Sequence, residues 1–351
     1  MFMSNECKGY TIIELIMALA IGSLLVAAAT ATYVVQNRAY ITQESVSEVN
    51  TQAKISHDIV ANEIKGAGFG WPLGMDLDET LLAGQDFMTP TNSTNSTDAL
   101  TIYGGLRYVG MLFQQGAGLN TLPCPSLPDV YTIPKATSIA VVSPSGEPVR
   151  VPLGQIISID AHEPKQVTNC TAGSDGICTD PANLVLSSRI PEGFPMWDTD
   201  GDNMCDRGRP VYVYEDHTYC VDASETLMRI RRGANPATCT GTVTSDIDEL
   251  AENIEDFQIT YALDIDDNGV IDEQNAVPGF DAGDFVSVVA ANDRNFIRAV
   301  RVNILAMTDR EDPAFDGQGN PPSVIEDRNH TATNDKFRRR WMRTMVNIRN
   351  R

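Results

Sequence analysis

The segment Lys8-Gly9-Tyr10-Thr11-Ile12-Ile13-Glu14 leads directly into an uncharged, apolar stretch, Leu15 to Asn37, and this junction decides how the N-terminal part of the chain folds. A secretory signal peptide carries its cleavage site after the apolar stretch. Here a short polar leader that ends in Lys-Gly precedes it, so cleavage after Gly9 would leave the apolar segment on the mature protein. We therefore predict a leader over residues 1–9 and a mature chain that begins at Tyr10.

Glu14 would then be the fifth residue of the mature chain, inside a helix of membrane length. An ionisable side chain in a membrane helix is costly and usually serves a function. We expect the carboxylate to pair with the new α-amino group of Tyr10 on a neighbouring subunit, which would neutralise it in hydrocarbon. Glu14 is therefore a candidate for subunit docking rather than for acid catalysis, because the membrane keeps it from aqueous substrates.

The stretch from Gly9 to Gly22, Gly-Tyr-Thr-Ile-Ile-Glu-Leu-Ile-Met-Ala-Leu-Ala-Ile-Gly, resembles the class III signal of type IV pilins and the related pseudopilins. In that family a prepilin peptidase cuts after the glycine, the new terminus is N-methylated, and the glutamate guides docking into the filament. The alternative is a plain signal anchor. Three later stretches resemble one branch of the family, the PilW-like minor pilins: His57 to Phe69, Leu250 to Tyr261 and Arg338 to Arg351.

The apolar stretch is long enough to cross a bilayer. Leu15 to Val35 is about 21 residues, which spans a hydrocarbon layer of ~30 Å as a helix. Lys8 precedes the stretch and an acidic region follows it, so we expect the N-terminus in the cytoplasm and the rest of the chain outside the inner membrane. On assembly, the resemblance implies a place in a pilus on the cell surface.

Helical periodicity continues beyond the membrane. Apolar residues recur at helical spacing as far as Ile64, with polar residues between them: Val46, Val49, Ala53, Val60 and Ile64. The glycines of residues 66–70, followed by Trp71-Pro72, then end the pattern. We predict one helix over residues 10–65, roughly 80 Å long at 1.5 Å per residue, whose first half is transmembrane and whose second half packs on a globular head.

The head, residues 66–351, is predicted to be mainly antiparallel sheet, so the fold class is α+β. Short runs of β-forming residues alternate with Gly, Pro, Asn and Asp. The runs are Ala99–Tyr103, Ser138–Val142, Gln155–Ile159, Asn183–Leu186, Val211–Tyr214, Leu227–Arg231, Phe257–Ala262 and Val300–Ala306. Ile247 to Asn253 is predicted as a short helix, and residues 110–245 as a possible inserted subdomain.

The chain is strongly acidic, with a net charge of −21 over 351 residues. Lys336 to Arg351 holds seven Lys or Arg and no acid, so the preceding 335 residues carry −28. Such a surface argues against nonspecific nucleic-acid binding, which depends on neutralising phosphates. The basic segment is better explained as a terminal strand with one buried face, because apolar side chains alternate with the charges: Phe337, Trp341, Met345, Val346 and Ile348.

Six of the seven cysteines would remain after the loss of Cys7 with the leader. They are Cys124, Cys170, Cys178, Cys205, Cys220 and Cys239. An even number outside the cytoplasm favours three disulfides, and no C-x-x-C pair supports the alternative of a zinc site. Short loops favour the pairs Cys170–Cys178 and Cys205–Cys220, which leaves Cys124 with Cys239.

Two Asp-rich loops have the spacing of a calcium-binding loop, with oxygen side chains at positions 1, 3, 5 and 9. The first has Gly269 at position 6 and supplies Asp264, Asp266, Asn268 and Asp272, although Asn275 replaces the usual Glu at position 12. The second has Asn203 at position 6 and supplies Asp198, Asp200, Asp202 and Asp206. We expect a structural Ca²⁺ at one or both loops; the alternative is two acidic turns without a ligand.

No motif for catalysis is present: the chain lacks G-x-S-x-G, H-E-x-x-H, a P-loop and G-x-G-x-x-G after a strand. The prediction is a protein without enzymatic activity. By resemblance, it is a minor pilin that helps initiate type IV pilus assembly, supports twitching and sits at the tip. The implied partners are other minor pilins, the major pilin, prepilin peptidase and the inner membrane. The rivals are a minor pseudopilin of type II secretion, a pilin-anchored adhesin or enzyme, and a major pilin.

Overall fold

The structure is a computed structural model of the 351-residue chain. It describes residues 11–69, 87–113, 132–133, 138–142, 151–152, 155–159, 165–170, 177–178, 182–186, 194–195, 209–231, 235–241, 246–272, 274, 282–312, 314–315, 323–330 and 335–349.

One long helix, α1 (Ile12–Gly66), forms the N-terminal part of the fold. Its 55 residues agree with the predicted helix to within two residues at its start and one at its end. The first half is exposed along its length, while the second half buries one stripe of residues. The buried stripe is Val49, Ala53, Ser56, Val60, Ala61 and Ile64. These positions are three or four apart, apart from the adjacent pair 60 and 61, as expected of one helix face.

Eighteen strands follow in the described parts of the head, and all their pairings are antiparallel. They are β1 (Met88–Thr91), β2 (Ala99–Phe113), β3 (Thr132–Ile133), β4 (Ser138–Val142), β5 (Val151–Pro152), β6 (Ile156–Ile159), β7 (Lys165–Cys170), β8 (Ile177–Cys178), β9 (Ala182–Leu186), β10 (Phe194–Pro195), β11 (Arg209–Val221), β12 (Leu227–Arg231), β13 (Asp246–Ala251), β14 (Ile254–Leu263), β15 (Ile297–Met307), β16 (Val324–Ile325), β17 (Arg328–Asn329) and β18 (Arg339–Asn347). Two 3-10 turns, Ala282–Asp284 and Ala291–Phe296, precede β15.

The larger sheet contains a closed ring of strands. Its order is β1-β2-β4-β9-β7-β6-β11-β12-β13, and β2 also pairs directly with β11. The six strands from β2 to β11 in that order therefore close on themselves, and we call them the strand ring. The ring has its own buried apolar side chains, which include Val141, Ile157, Val167, Leu184 and Val213. Most of it comes from the region predicted as an inserted subdomain, but β2 and β11 belong to both the ring and the rest of the head.

The second sheet, β14-β15-β18, packs one face against α1. Alternate side chains of β14 and β15 join the buried residues of the helix in the main core: Phe257, Ile259, Tyr261, Val300, Val302 and Ile304. This alternation is the two-residue period of a strand with one face in the core. The fold is therefore α+β, as the sequence predicts.

Two details differ from the sequence-based expectations. Ile247 to Asn253 is not a helix: Asp246–Ala251 is strand β13, and Asn253 has a positive φ of 57° in the turn before β14. Apolar residues at 247, 250, 251 and 254 fit a helical period, but pairing with β12 overrides it. In β18 the strand is as predicted, yet only Val346 and the following Ile348 are buried, while Met345 is 48% exposed on the other face.

Candidate functional site

The first turn of α1 is a capping box built from Thr11 and Glu14. Glu14 accepts hydrogen bonds at Oε2 from the Thr11 backbone N–H (2.9 Å) and from Thr11 Oγ1 (3.0 Å). The Glu14 N–H in turn donates to Thr11 Oγ1 (3.3 Å). This exchange satisfies two of the amides that begin a helix. Sequence analysis missed it, although the Thr-x-x-Glu pattern signals it. Within one chain, the carboxylate is thus folded back towards the predicted new N-terminus.

Gly9 and Tyr10 lie outside the described residues. The helix that follows them is, within the described ranges, the one that is long and apolar enough to cross a membrane. Its hydroxyl groups bond to its own carbonyls: Ser23 Oγ to Ala20 O (2.8 Å), and Thr30 Oγ1 to Val26 O (2.8 Å). Because these polar groups have partners inside the helix, they can be placed in hydrocarbon at little cost.

Glu63, near the C-terminal end of α1, joins the helix to the larger sheet. Its Oε2 receives hydrogen bonds from His217 Nδ1 (2.6 Å) and from the Tyr219 hydroxyl, both on β11. Its Oε1 receives one from Arg229 on β12 (2.5 Å). Arg229 also bonds through Nη2 to Asp248 on β13 (2.7 Å). We call these five residues the Glu63 cluster.

The Glu63 cluster favours the ionised carboxylate. Burial raises the pKa of Glu63, but the hydrogen bonds and positive charges of His217 and Arg229 outweigh burial and bring the pKa below its usual range. The donors stand 154 to 166 positions away in sequence, so no local pattern could have revealed them. The arrangement attaches the helix to the head, because Glu63 on α1 accepts from three residues of the larger sheet.

Close backbone contact reinforces this attachment where α1 ends. The Gly68 N–H donates to Tyr103 O (2.9 Å) and the Gly105 N–H to Phe69 O (3.1 Å), so β2 crosses directly over the helix terminus. A Cβ on Gly104 would lie 3.1 Å from Gly66 O, which is tighter than ordinary contact. Glycine at 104 therefore permits this approach.

The first Asp-rich loop adopts part of the predicted shape. Asp264 directly follows β14, is fully buried, and accepts the backbone N–H of Asn268 at Oδ1 (3.0 Å) and of Gly269 at Oδ2 (3.1 Å). Gly269 has φ +86°, as its place in a sharp turn requires. Across the loop, Asp272 Oδ2 accepts the Ile265 N–H (2.5 Å).

The guanidinium of Arg298, however, is bonded to Asp264, the carboxylate at position 1 of the predicted calcium loop. Arg298 Nε donates to Asp264 Oδ2 (3.0 Å), and Arg298 also pairs with Asp267. Burial raises the pKa of Asp264, but Arg298 and the two amides outweigh it and lower that pKa. Asp266 Oδ2 accepts a hydrogen bond from the Asn268 side-chain amide (2.8 Å).

The described residues include no group of three or more His, Cys, Asp or Glu arranged to hold a metal ion. The second loop, with Asp198, Asp200, Asp202 and Asp206, lies outside them.

Two disulfides are present in the described part of the head. Cys170 on β7 bonds to Cys178 on β8, which was one of the expected pairs. Cys220 bonds to Cys239, so the expected pairs Cys205–Cys220 and Cys124–Cys239 are wrong. The turn after β12 returns Cys239 to the end of β11, which sequence spacing does not reveal. Cys205 precedes β11 in the sequence. Cys220 lies roughly 35 Å from the start of that strand, at 3.3 Å per residue.

Cys124 and Cys205 lie outside the described residues, and we expect them to bond to each other. Alkylation of the denatured, non-reduced protein should therefore label no cysteine of the mature chain, because three disulfides use all six. Peptide mapping should recover Cys124 and Cys205 in one linked fragment. Labelling of these two alone would show that the head carries two disulfides and a pair of free thiols.

Comparison with known proteins agrees with this geometry. Residues 211–350, which begin within β11 and extend past the end of β18, match the family described as Type IV Pilus-assembly protein W. Residues 4–30, which include the leader junction and the apolar start of α1, match the Prokaryotic N-terminal methylation motif. No curated protein and no solved structure matches the chain. The matches cover both ends of the fold: the start of the helix, and the strands on which its second half packs. Together, the two matches support a type IV pilin-like protein of the PilW type.

Proposed function

We propose that this protein is a minor pilin that helps initiate assembly of a type IV pilus and sits at the tip of the filament. The observation that carries the proposal is the combination, in one chain, of a methylation motif on a 55-residue helix with a head that matches Type IV Pilus-assembly protein W. In this proposal its role is structural, as the two matched pilin family models suggest. Its partners are other pilins, met through the helix, and the peptidase that removes the leader.

The two disulfides support a periplasmic head. Disulfides form and persist in oxidising compartments and are rare in the cytoplasm. If α1 crosses the membrane once, a periplasmic head puts residues 1–9 on the cytoplasmic side, where the positive charge of Lys8 is favoured. Before assembly, the protein is then a single-pass protein of the inner membrane.

The strand ring supports the tip position. In a filament whose shaft is made of parallel helices, heads are stacked closely around the axis. The ring enlarges this head beyond the three-stranded sheet that holds the helix, so repeated copies would crowd one another. At the tip, a large head has no neighbour above it.

Deletion of the gene separates the proposed function from its rivals. We expect loss of surface pili and of twitching, restored by the wild-type gene. Loss of exoprotein secretion with normal pili would instead indicate a minor pseudopilin of type II secretion. Normal pili and secretion with lost surface binding would indicate an adhesin on a pilin anchor. Gold labelling of the restored strain should mark pilus ends; labels along the shaft would contradict the tip position.

We also propose that the loop from Asp264 binds Ca²⁺ as a structural ion. The backbone supports this, because the turn at Gly269 and the two amides on Asp264 are those that such a loop needs. Arg298 opposes it, since a cation must replace or share that guanidinium. Removal of the competing charge should therefore strengthen binding.

Millimolar Ca²⁺ should raise the melting temperature of the detergent-extracted protein relative to chelator. Binding at a hundredfold excess over Kd would add about 2.7 kcal/mol to the free energy of unfolding. Asp266→Ala should remove most of this effect, Arg298→Gln should enlarge it, and Glu252→Ala, an exposed acid in another turn, should leave it unchanged. No calcium effect in the wild type or in Arg298→Gln would mean that the loop is an acidic turn held by arginine.

A further inference from the structure

The outer face of the β14-β15-β18 sheet, opposite the helix, is polar and yet buried. Asp256, Gln258 and Thr260 on β14 are each at most 1% exposed, and Asn303 on β15 is 1% exposed. A buried polar face is costly unless each group has a partner. The covering element is the hairpin β16–β17 with its flanks, residues 323–330, which we call the strap.

The strap is held to the sheet mainly by charged groups. Glu326 pairs with Arg301 and accepts a hydrogen bond from Asn303 Nδ2 (2.7 Å). Arg328 Nη1 and His330 Nε2 both bond to Asp256, at 2.5 and 2.7 Å.

Asp327 receives a bond from the side-chain amide of Asn92 (2.9 Å), in the loop before β2. Of the strap's apolar side chains, Ile325 is buried and Val324 is exposed. The attachment therefore depends on the ionisation of these groups.

Asp98, at the end of the same loop, lies at the centre of the cluster. Its Oδ1 accepts the Ser93 N–H (2.9 Å) and its Oδ2 the Ile259 N–H (2.8 Å), which ties the loop to β14. The charged or titratable groups around it come from four elements. They are Asp256 and Tyr261 of β14, Arg301 of β15, Arg294 of the 3-10 turn, and Glu326, Asp327, Arg328 and His330 of the strap.

In the part of the chain that the structure describes, two of the four carboxyl groups in the cluster lack an ion-pair partner, and some of its buried acceptor oxygens lack a donor. Arg301 and Arg328 pair with Glu326 and Asp256, while neither Asp98 nor Asp327 has an ion-pair partner within the described ranges. Three buried oxygens there accept no hydrogen bond from any described residue: Asn92 Oδ1, Gln258 Oε1 and Asp327 Oδ1. One added proton would reduce both imbalances, because it removes one negative charge and supplies one donor.

We propose that the strap is a proton-linked device: the carboxyl cluster beneath it takes up a proton when the strap is seated, so mildly acidic pH holds the strap more firmly than alkaline pH. Asp98 is the group best placed to carry that proton.

The direction of the pKa shift of Asp98 agrees with the proposal. Burial, with further contributions from Asp327 and Asp256, outweighs the two amide bonds and raises the pKa of Asp98 to about 7 from an ordinary value of 3.8. A carboxyl whose pKa is raised by folding stabilises the folded state below its unfolded pKa. This contribution is lost as the pH rises from about 4 through 7, which is the window in which the strap should loosen.

Hydrogen exchange on the full-length protein in detergent tests the proposal. After correction for intrinsic exchange rates, amides of residues 323–330 should be more protected at pH 6 than at pH 8, while those of β15 change little. This comparison needs only the wild-type chain. Equal protection of the strap at both pH values would overturn the proposal.

The variant Asp327→Asn tests whether the pH dependence of strap protection arises in this carboxyl cluster. It removes a charge facing Asp98 and puts an amide donor among the unpaired acceptors, so it should raise the melting temperature at pH 8 by about 2–4 °C and change it little at pH 5.5. Strap protection should then depend less on pH than in the wild type, because burial of Asp98 remains. Glu311→Gln, an exposed acid-to-amide change, should keep the wild-type profile. Wild-type pH dependence in Asp327→Asn would show that the strap does not respond through this cluster.

Discussion

Replacing Glu14 by alanine should reduce incorporation of the protein into pili by about tenfold or more, while the leader is still removed after Gly9. The reason is that the carboxylate would pair with the α-amino group of Tyr10 on a neighbouring subunit, in hydrocarbon. Loss of a coupling of about 1.4 kcal/mol already changes association tenfold. Immunoblots of sheared pili against the membrane fraction measure incorporation, and the intact mass shows whether the chain begins at N-methylated Tyr10.

Glu14→Gln separates subunit pairing from helix capping. Glutamine retains an oxygen that can accept the Thr11 N–H, so it preserves the capping box but not the charge. If pairing is the role of Glu14, glutamine should fail as alanine does. Normal assembly of Glu14→Gln, with failure of Glu14→Ala, would assign Glu14 to the helix cap instead. Ser23→Ala, whose hydroxyl bonds only to Ala20 O among described partners, serves as the control in the same helix.

Glu63→Gln should lower the free energy of unfolding of the head by about 2–3 kcal/mol, because it leaves the partly buried Arg229 without its charge partner on the helix. Denaturant unfolding of the detergent-extracted protein, followed by tryptophan fluorescence, measures the change. Glu48→Gln is the matched control, since Glu48 lies exposed on the same helix. An equal loss in both variants would mean that the Glu63 cluster adds nothing to the attachment.

The difference between wild type and Glu63→Gln should depend on pH. A carboxyl whose pKa is lowered by folding stabilises the folded state above its unfolded value, here 4.5, and loses this contribution as the pH falls through its folded pKa. The two proteins should therefore differ most near neutral pH and converge as the pH falls through the lowered pKa of Glu63. A difference that grows in acid would contradict ionisation of Glu63 in the folded head.

Local sequence patterns correctly predicted helices and strands whose boundaries or buried faces are set by neighbouring residues in the sequence. The helix end at Gly66 follows from the glycine-rich break, and the strands Phe257–Ala262 and Val300–Ala306 from their alternation. Ile247–Asn253 was mispredicted because its apolar spacing fits a helix as well as a strand, and pairing with β12 decided between them. The partner of Cys220 likewise depended on where the turn after β12 returns.

The sequence by itself determined that this chain carries a match to the N-terminal methylation motif and a long apolar helix, because the order of charge, glycine and apolar residues along one segment is enough to specify them. Only the tertiary structure decided what holds the head on that helix and what lies on its far side. Glu63 receives donors from strands more than 150 residues away, and Asp98, Asp256 and Asp327 meet from three separate segments. Such clusters arise where strands from distant segments are brought together, and burial then sets how their charges interact.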